Sequence, residues 1–125
     1  MNKILIVEDD TIVQDLVSAT LGGDQRYTLL QAYNGHTGLE LAKREKPILI
    51  LLDIDLPRLN GLNVCRTLKS DPDYAHIYIL ILSAMTQEDD IKAGLDAGAN
   101  DYFIKPFSPL ALLRRVDDIL DANSN

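Results

Sequence analysis

The chain has 125 residues, of which 46% are hydrophobic and 25% charged, and its formal net charge is −7. These proportions are typical of one globular domain, and the acidic balance with scattered lysines and arginines argues against direct contact with nucleic acid. No apolar run approaches the roughly 20 residues of a membrane span and no signal-peptide pattern is present, so we expect a cytoplasmic protein without membrane contact.

The first two predicted strands flank an amphipathic helix. Lys3–Val7 and Tyr27–Ala32 are runs rich in apolar residues, and continuous apolarity is typical of strands in a sheet that is covered on both faces. Between them, Thr11 and Gln14 have the spacing of a capping box, and a glycine pair ends the helix. The predicted apolar stripe of this helix is Ile12, Val13, Leu16, Val17 and Leu21.

The middle of the chain repeats this alternation. Asn34 is a candidate N-cap of a second helix, which ends near Lys46 because a proline follows. The third predicted strand is Ile48–Asp53, and a third helix runs from about residue 60 to residue 70. Its apolar stripe contains Cys65, the only cysteine, so a disulfide within the chain and a cysteine-based metal site are both excluded.

The last part of the chain adds two strands and two helices. The predicted elements are a strand over Ile77–Ser83, a helix from Thr86 to Gly98, a strand over Tyr102–Ile104 and a helix that Ser108 and Pro109 open and that runs through Leu120. Strands and helices therefore alternate five times, and right-handed crossovers would place helices on both faces of a parallel sheet.

Residues with chemical function stand where the strands end. In an open parallel sheet, ligands bind beyond the carboxyl ends of the strands. These ends carry Glu8, Asp9 and Asp10 after the first strand, Asp53 and Asp55 after the third, Ser83 after the fourth and Lys105 after the fifth. Each alone could be a solvated loop residue or a helix cap. Because separate strands deliver them to one edge, they predict a single site.

The groups at this edge complement one another chemically. Clustered carboxylates favour a divalent cation between them, and oxygen ligands make Mg²⁺ the natural choice. A metal and a lysine ammonium can together neutralise the oxygens of a phosphoryl group. A carboxylate held beside them can attack as a nucleophile and form an acyl phosphate.

Four motifs, "ILIVEDD", "ILILLDIDLPRLNG", "ILILSA" and "GANDYFIKPFSP", give the chain a family resemblance. It resembles the receiver domains of bacterial two-component response regulators over essentially its whole length, as a single domain of residues 1–125. The resemblance implies an α/β, flavodoxin-like (βα)5 three-layer sandwich whose five-stranded parallel sheet has the order 2-1-3-4-5. It also implies a signalling switch, not an enzyme, that assists its own phosphorylation and autodephosphorylation.

The resemblance implies a role for each residue at the strand ends. Asp53 would be the phosphoacceptor. Glu8 and Asp9 would hold Mg²⁺ together with Asp53, and the backbone carbonyl of Asp55 would complete the protein ligands. The Asp55 side chain could influence autodephosphorylation or be a solvated loop acid.

Three further residues would respond to the phosphoryl group. Ser83 matches the switch hydroxyl, Lys105 matches the lysine that contacts a phosphoryl oxygen, and Tyr102 matches the aromatic residue that changes position on activation. The bond between Lys105 and Pro106 is expected to be cis, as the family resemblance implies and proline permits.

The implied partner is a sensor histidine kinase or a histidine phosphotransfer protein. Activation would change an output face formed by the fourth helix, fifth strand and fifth helix. On that face, a homodimer or a downstream effector could contact Ile91, Leu95, Asp101, Leu110 and Arg115. Ordinary helix packing is the alternative explanation for the apolar members of this group.

Three other interpretations of the motifs remain open at this point. "DIDLP" is similar to the Asp-x-Asp motif of haloacid-dehalogenase-like phosphatases, although Pro57 stands where that family has threonine or valine. A flavodoxin-like FMN carrier would need a phosphate-cradling loop, whereas the loop after the first strand is acidic. A degenerate receiver acting only as an interaction module is disfavoured, because none of the key residues is missing.

Overall fold

The computed structural model describes residues 2–54, 56, 59–84, 88–105 and 108–122. Its strands are β1 (Asn2–Val7), β2 (Tyr27–Ala32), β3 (Leu49–Asp53), β4 (Tyr78–Ser83) and β5 (Asp101–Ile104). Its helices are α1 (Thr11–Leu21), α2 (Gly35–Glu45), α3 (Gly61–Lys69), α4 (Glu88–Asp96) and α5 (Pro109–Ala122). The predicted alternation of strands and helices is confirmed.

The five strands form one parallel sheet in the order β2-β1-β3-β4-β5. This order confirms the predicted flavodoxin-like topology. It also makes the boundary between β1 and β3 the point at which the chain reverses its direction of winding, which is where such folds bind their ligands.

Both faces of the sheet are covered, which explains why its strands are apolar throughout. Along β1, β3 and β4, successive side chains point to opposite faces. One face packs against α2, α3 and the end of α4, and the other packs against α1 and α5. Cys65 lies in the first of these two clusters, where burial raises the pKa of its thiol to about 11. Its predicted place in the apolar stripe of α3 is therefore confirmed.

Helix α1 departs from the sequence prediction at its start. Its N-cap is Asp10, not Thr11: the Asp10 carboxylate accepts hydrogen bonds from the backbone N–H groups of Ile12 and Val13, at 2.8 Å and 3.4 Å. Gln14 does not take part in a capping box, because its side chain points into the protein. The prediction was wrong because either residue of the pair Asp10-Thr11 can cap a helix.

The buried stripe of α1 also differs from the predicted one. Val17 and Leu21 are buried as expected, but Ile12 is 78% exposed and Leu16 is 43% exposed. Gln14 occupies the position that faces the core between the ends of β1 and β2. A polar residue therefore lies inside and two apolar residues lie outside, which apolar periodicity alone cannot predict.

Three other helix ends carry the predicted signals. Asn34 accepts a hydrogen bond from the backbone N–H of Thr37 at 2.8 Å, and Ser108 accepts one from Ala111 at 3.4 Å. Gly98 has a φ of +102° after α4, a conformation that glycine adopts without steric cost. The predicted start at Thr86 lies outside the described residues. Within the described ranges, no helix is long and apolar enough to cross a bilayer.

Candidate functional site

Strand register brings the predicted site residues to one edge of the sheet. Val7 pairs with Leu52, Asp53 with Leu82, and Ser83 with Ile104. The next residues along β1 and β5 are Glu8 and Lys105. Groups that lie far apart in sequence therefore meet where the parallel strands end, as the sequence predicts.

Three carboxylates form a cluster at this edge. Glu8, Asp9 and Asp53 each offer one oxygen, and these three oxygens all lie within 4.8 Å of one another. Glu8 and Asp53 are buried and Asp9 is exposed, so the cluster has one open side. The carboxylate of Glu8 is also held by the backbone N–H of Asp10, which donates to its Oε2 at 3.2 Å.

Lys105 supplies a positive charge beside this cluster. Its Nζ contacts Glu8 Oε1 and lies 3.7 Å from Asp53 Oδ1. The backbone N–H of Lys105 donates to the carbonyl of Ser83 at 2.7 Å, which fixes the start of its loop to the end of β4. The ammonium is therefore held beside the carboxylate that the resemblance identifies as the phosphoacceptor.

The donor set fits a magnesium ion. Among the residues that the structure describes, three carboxylates and one ammonium meet at this edge, so the cluster carries more negative than positive charge. All of the converging ligand atoms are carboxylate oxygens, the ligand type that Mg²⁺ prefers in proteins. The predicted backbone ligand, Asp55, lies outside the described residues, as does Pro106, on which the expected cis bond depends.

Gly61 lets the first turn of α3 approach Asp53 closely. A Cβ atom at this position would lie 2.1 Å from the backbone oxygen of Asp53 and 2.8 Å from Cα of Ile54. The backbone N–H of Gly61 donates to the carbonyl of Ile54 at 3.0 Å. Only a residue without a side chain fits here, so the end of β3 is braced by the helix that follows it.

Ser83 and Tyr102 lie on the neighbouring strands β4 and β5. Ser83 is fully buried at the end of β4. Tyr102 is half-buried, and its ring packs against α4, where a Cβ atom on Gly94 would lie 3.2 Å from the ring atoms Cδ2 and Cε2. Ser83 is thus at the edge that holds the acids, and Tyr102 is between that edge and α4.

The five residues predicted for the output face have different environments. Leu95 is 45% exposed and Leu110 is 54% exposed, whereas Ile91 is half-buried. Ordinary packing therefore does not account for the two leucines. Asp101 and Arg115 form an ion pair within the chain, and the Arg115 guanidinium lies 5.2 Å from the ring centre of Phe103.

Sequence reasoning missed one polar residue beside the site. Gln14 is fully buried, and its amide reaches the backbone at the ends of β1 and β2. Its spacing from Thr11 suggested a cap, which concealed its inward orientation. A signal was present in the sequence, because Gln14 stands three and seven residues before Val17 and Leu21, on the same side of a helix.

Comparison with known proteins gives consistent matches. Residues 4–117 match the family model of the response regulator receiver domain. The chain is 42% identical over 120 residues to the DNA-binding dual master transcriptional regulator RpaA of Synechocystis, covering 96% of this chain and 49% of that protein. The chain spans about half the length of the curated relatives it matches.

Two solved structures are similar over nearly the whole chain. The BeF3-activated receiver domain of DrrB has a TM-score of 0.86 and 30% identity, covering 97% of this chain and 98% of that one. The Mn²⁺-bound form of the response regulator Rcp1 has a TM-score of 0.81 and 28% identity, covering 97% of this chain and 93% of that one.

Proposed function

Because this chain belongs to the response regulator receiver domain family, we propose that it is a switch that accepts a phosphoryl group on Asp53. The observation that carries this proposal is the position of Asp53 beside both a buried acid and an ammonium. A carboxylate oxygen of Glu8 lies within 4.8 Å of one of Asp53, and Lys105 Nζ lies 3.7 Å from Asp53 Oδ1. The family match extends through all five strands, so the phosphatase and FMN-carrier interpretations are set aside.

The proposed reaction is a single displacement at phosphorus. A carboxylate oxygen of Asp53 attacks the phosphorus of a phosphohistidine, the new O–P bond forms, and the P–N bond breaks. The electron pair of that bond leaves with the imidazole of the donor. Asp53 needs no proton transfer to act, because its carboxylate is the nucleophile.

The chain's own residues would assist this displacement by position and charge. Asp53 ends a buried strand and is braced by α3 at Gly61, so its carboxylate is held for attack. Lys105 would move its ammonium from the acids toward a phosphoryl oxygen. Mg²⁺, held by Glu8, Asp9 and Asp53, would supply the remaining positive charge on the phosphoryl group.

The two solved relatives are consistent with these assignments. The DrrB receiver domain is activated by BeF3, and the Rcp1 response regulator is in an Mn²⁺-bound form. We infer the corresponding chemistry for this chain from its own acidic cluster, in which the three carboxylate oxygens lie within 4.8 Å of one another. Mn²⁺ and Mg²⁺ share a preference for oxygen ligands.

The switch itself would act through β4 and β5. A phosphoryl group adds charge and strong acceptor oxygens, toward which the Ser83 hydroxyl would turn. Tyr102 would then shift from its place against α4, and the face of α4, β5 and α5 would change. Autodephosphorylation, by attack of water on the acyl phosphate, would reset the protein.

The partners follow from the same proposal. The donor would be a sensor histidine kinase or a histidine phosphotransfer protein in the cytoplasm. Leu95 and Leu110 are exposed on the output face, and we propose that they contact a second copy of the receiver or an effector after activation. The ion pair of Asp101 and Arg115 would have to open if either residue paired across a dimer.

A direct test combines a small phosphodonor with mass measurement. Wild type incubated with acetyl phosphate and Mg²⁺ should gain the mass of one phosphoryl group, and Asp53→Ala should not. Asp118→Asn, which changes an exposed acid on α5, is the matched control and should react like wild type. Equal phosphorylation of Asp53→Ala and wild type would overturn the proposal.

A further inference from the structure

We propose that Gln14 is a positioning residue that fixes the acidic pair Glu8–Asp9 for a divalent cation. This inference rests on the proposed function, because it assumes that the acidic cluster binds Mg²⁺. Gln14 touches neither the cation nor the phosphoryl group in this proposal. It acts through the backbone that carries the two acids.

The amide of Gln14 joins the ends of two strands. Its side chain is fully buried. Nε2 lies 2.8 Å from the carbonyl oxygen of Ala32, 3.1 Å from that of Ile6 and 3.3 Å from that of Glu8. Ala32 ends β2, and Ile6 and Glu8 lie on either side of the last residue of β1, so one side chain donates to the backbone of both strands.

The segment from Glu8 to Asp10 is held at both ends by these contacts. The backbone N–H of Glu8 donates to the carbonyl of Ala32 at 3.0 Å, and its carbonyl accepts from Gln14 Nε2. The carbonyl of Asp10 accepts from the backbone N–H of Gln14 at 2.9 Å. Asp9 lies between these fixed points, so the direction of its side chain depends on the Gln14 anchor.

An apolar residue would be expected here if the position only filled space. Gln14 Oε1 is buried and has no hydrogen-bond partner among the described residues. Leaving a buried acceptor unpaired is unfavourable, and leucine or methionine would avoid that cost. The presence of glutamine here is therefore explained by the two N–H groups of its amide, which lie near three backbone carbonyls.

Loss of these N–H groups should weaken the affinity for the cation while the protein still folds. Residues that orient metal ligands from behind typically change metal affinity by about 10–100-fold when they are substituted. Gln14→Met keeps the length of the side chain and removes both donors. We expect it to raise the dissociation constant for Mg²⁺ about tenfold.

The experiment is calorimetric titration with MgCl2 of three folded proteins: wild type, Gln14→Met and Gln31→Met. Gln31 is the matched control, because it is an exposed glutamine whose Nε2 donates to Ser18 Oγ at 2.6 Å, on an exposed part of the surface. Gln31→Met should bind Mg²⁺ like wild type. Urea unfolding without metal, measured in parallel, reports the purely structural cost of each substitution.

The outcomes separate the two proposals. Wild-type affinity in Gln14→Met, whatever its stability, would overturn the positioning role and leave the proposed function intact. No Mg²⁺ binding by wild type would overturn the cation site and the positioning role together. If Gln14→Met does not fold, Gln14→Asn, whose amide is one methylene shorter and cannot span the same carbonyls, is titrated with the same expectation.

Discussion

Lys105 pairs with two acids at once: its Nζ contacts Glu8 Oε1 and lies 3.7 Å from Asp53 Oδ1. Lys105 and Glu8 are separated by 97 positions in the chain. The ammonium and a bound divalent cation would therefore both offset the negative charge of Glu8 and Asp53. Each should influence how much the other stabilises the fold.

We expect Lys105→Met to destabilise the metal-free protein by about 2 kcal/mol, because it leaves buried carboxylates without their cation. Mg²⁺ should then stabilise the variant more than it stabilises wild type, as measured by urea unfolding with and without Mg²⁺. Lys3→Met is the control, since Lys3 pairs with Glu45 at 3.3 Å on the surface. An equal or smaller effect of Mg²⁺ on Lys105→Met would contradict this coupling.

Gly61→Ala should destabilise the protein by about 2 kcal/mol or more, because its Cβ would collide with the backbone of Asp53. The displaced strand end should also slow phosphorylation by acetyl phosphate. Gly23→Ala is the comparison for backbone strain without a steric clash. Its φ of +86° is unfavourable for alanine, but a Cβ there would meet no atom of the described structure within 4 Å. A Gly61→Ala protein with normal phosphorylation would show that the close approach does not position Asp53.

The N-cap of α1 can be tested with two neighbouring substitutions. Asp10→Ala should lower the free energy of unfolding by about 1 kcal/mol, because two N–H groups lose their acceptor. Thr11→Ala should change it by less than about 0.5 kcal/mol. Asp10→Asn should remain close to wild type, since asparagine also caps helices. A larger cost for Thr11→Ala than for Asp10→Ala would favour the capping box that the sequence predicts.

The burial of Cys65 predicts that the free energy of unfolding falls at alkaline pH. Burial raises the pKa of its thiol from the usual 9.0 to about 11. The unfolded chain therefore loses this proton at a lower pH than the folded protein does. The stability contributed by the neutral thiol is fully present below about pH 9 and is lost as the pH rises toward about 11.

The measurement is urea unfolding of wild type and Cys65→Ala between pH 8 and pH 11. The stability advantage of wild type should narrow across this interval, on the order of 2 kcal/mol in total. Burial also raises the pKa values of Tyr27 and Tyr78, and these groups act equally in both proteins. A constant difference between the two proteins would show that the thiol titrates alike in both states.

Sequence alone predicted the sheet because its signals are local and repeated. The apolar run of the predicted strand Ile48–Asp53 is typical of a strand with both faces buried, and the acid at its end marks the edge of the sheet. Helix starts at Asn34 and Ser108 were also readable, since each cap acts within a few residues. Right-handed crossovers then left few possible topologies.

The details at α1 and Lys105 could not be read in the same way. Which side of α1 faces the core depends on the ends of β1 and β2, which accept hydrogen bonds from Gln14. With Gln14 turned toward these strand ends, Ile12 and Leu16 are exposed although they are apolar. The contact between Lys105 and Glu8 depends on the register of three strand pairs. The pattern of apolar residues does not determine these three registers, so it cannot predict which acid Lys105 contacts.

The parallel order of the sheet has a consequence for newly made chains. Asp53, the proposed phosphoacceptor, ends β3, Glu8 and Asp9 follow β1, and Lys105 follows β5, whose partner in the sheet is β4. A chain in which β5 has not yet joined the sheet therefore lacks the assembled group of acids and ammonium. Under the proposed function, we expect phosphorylation to be confined to molecules in which all five strands have paired.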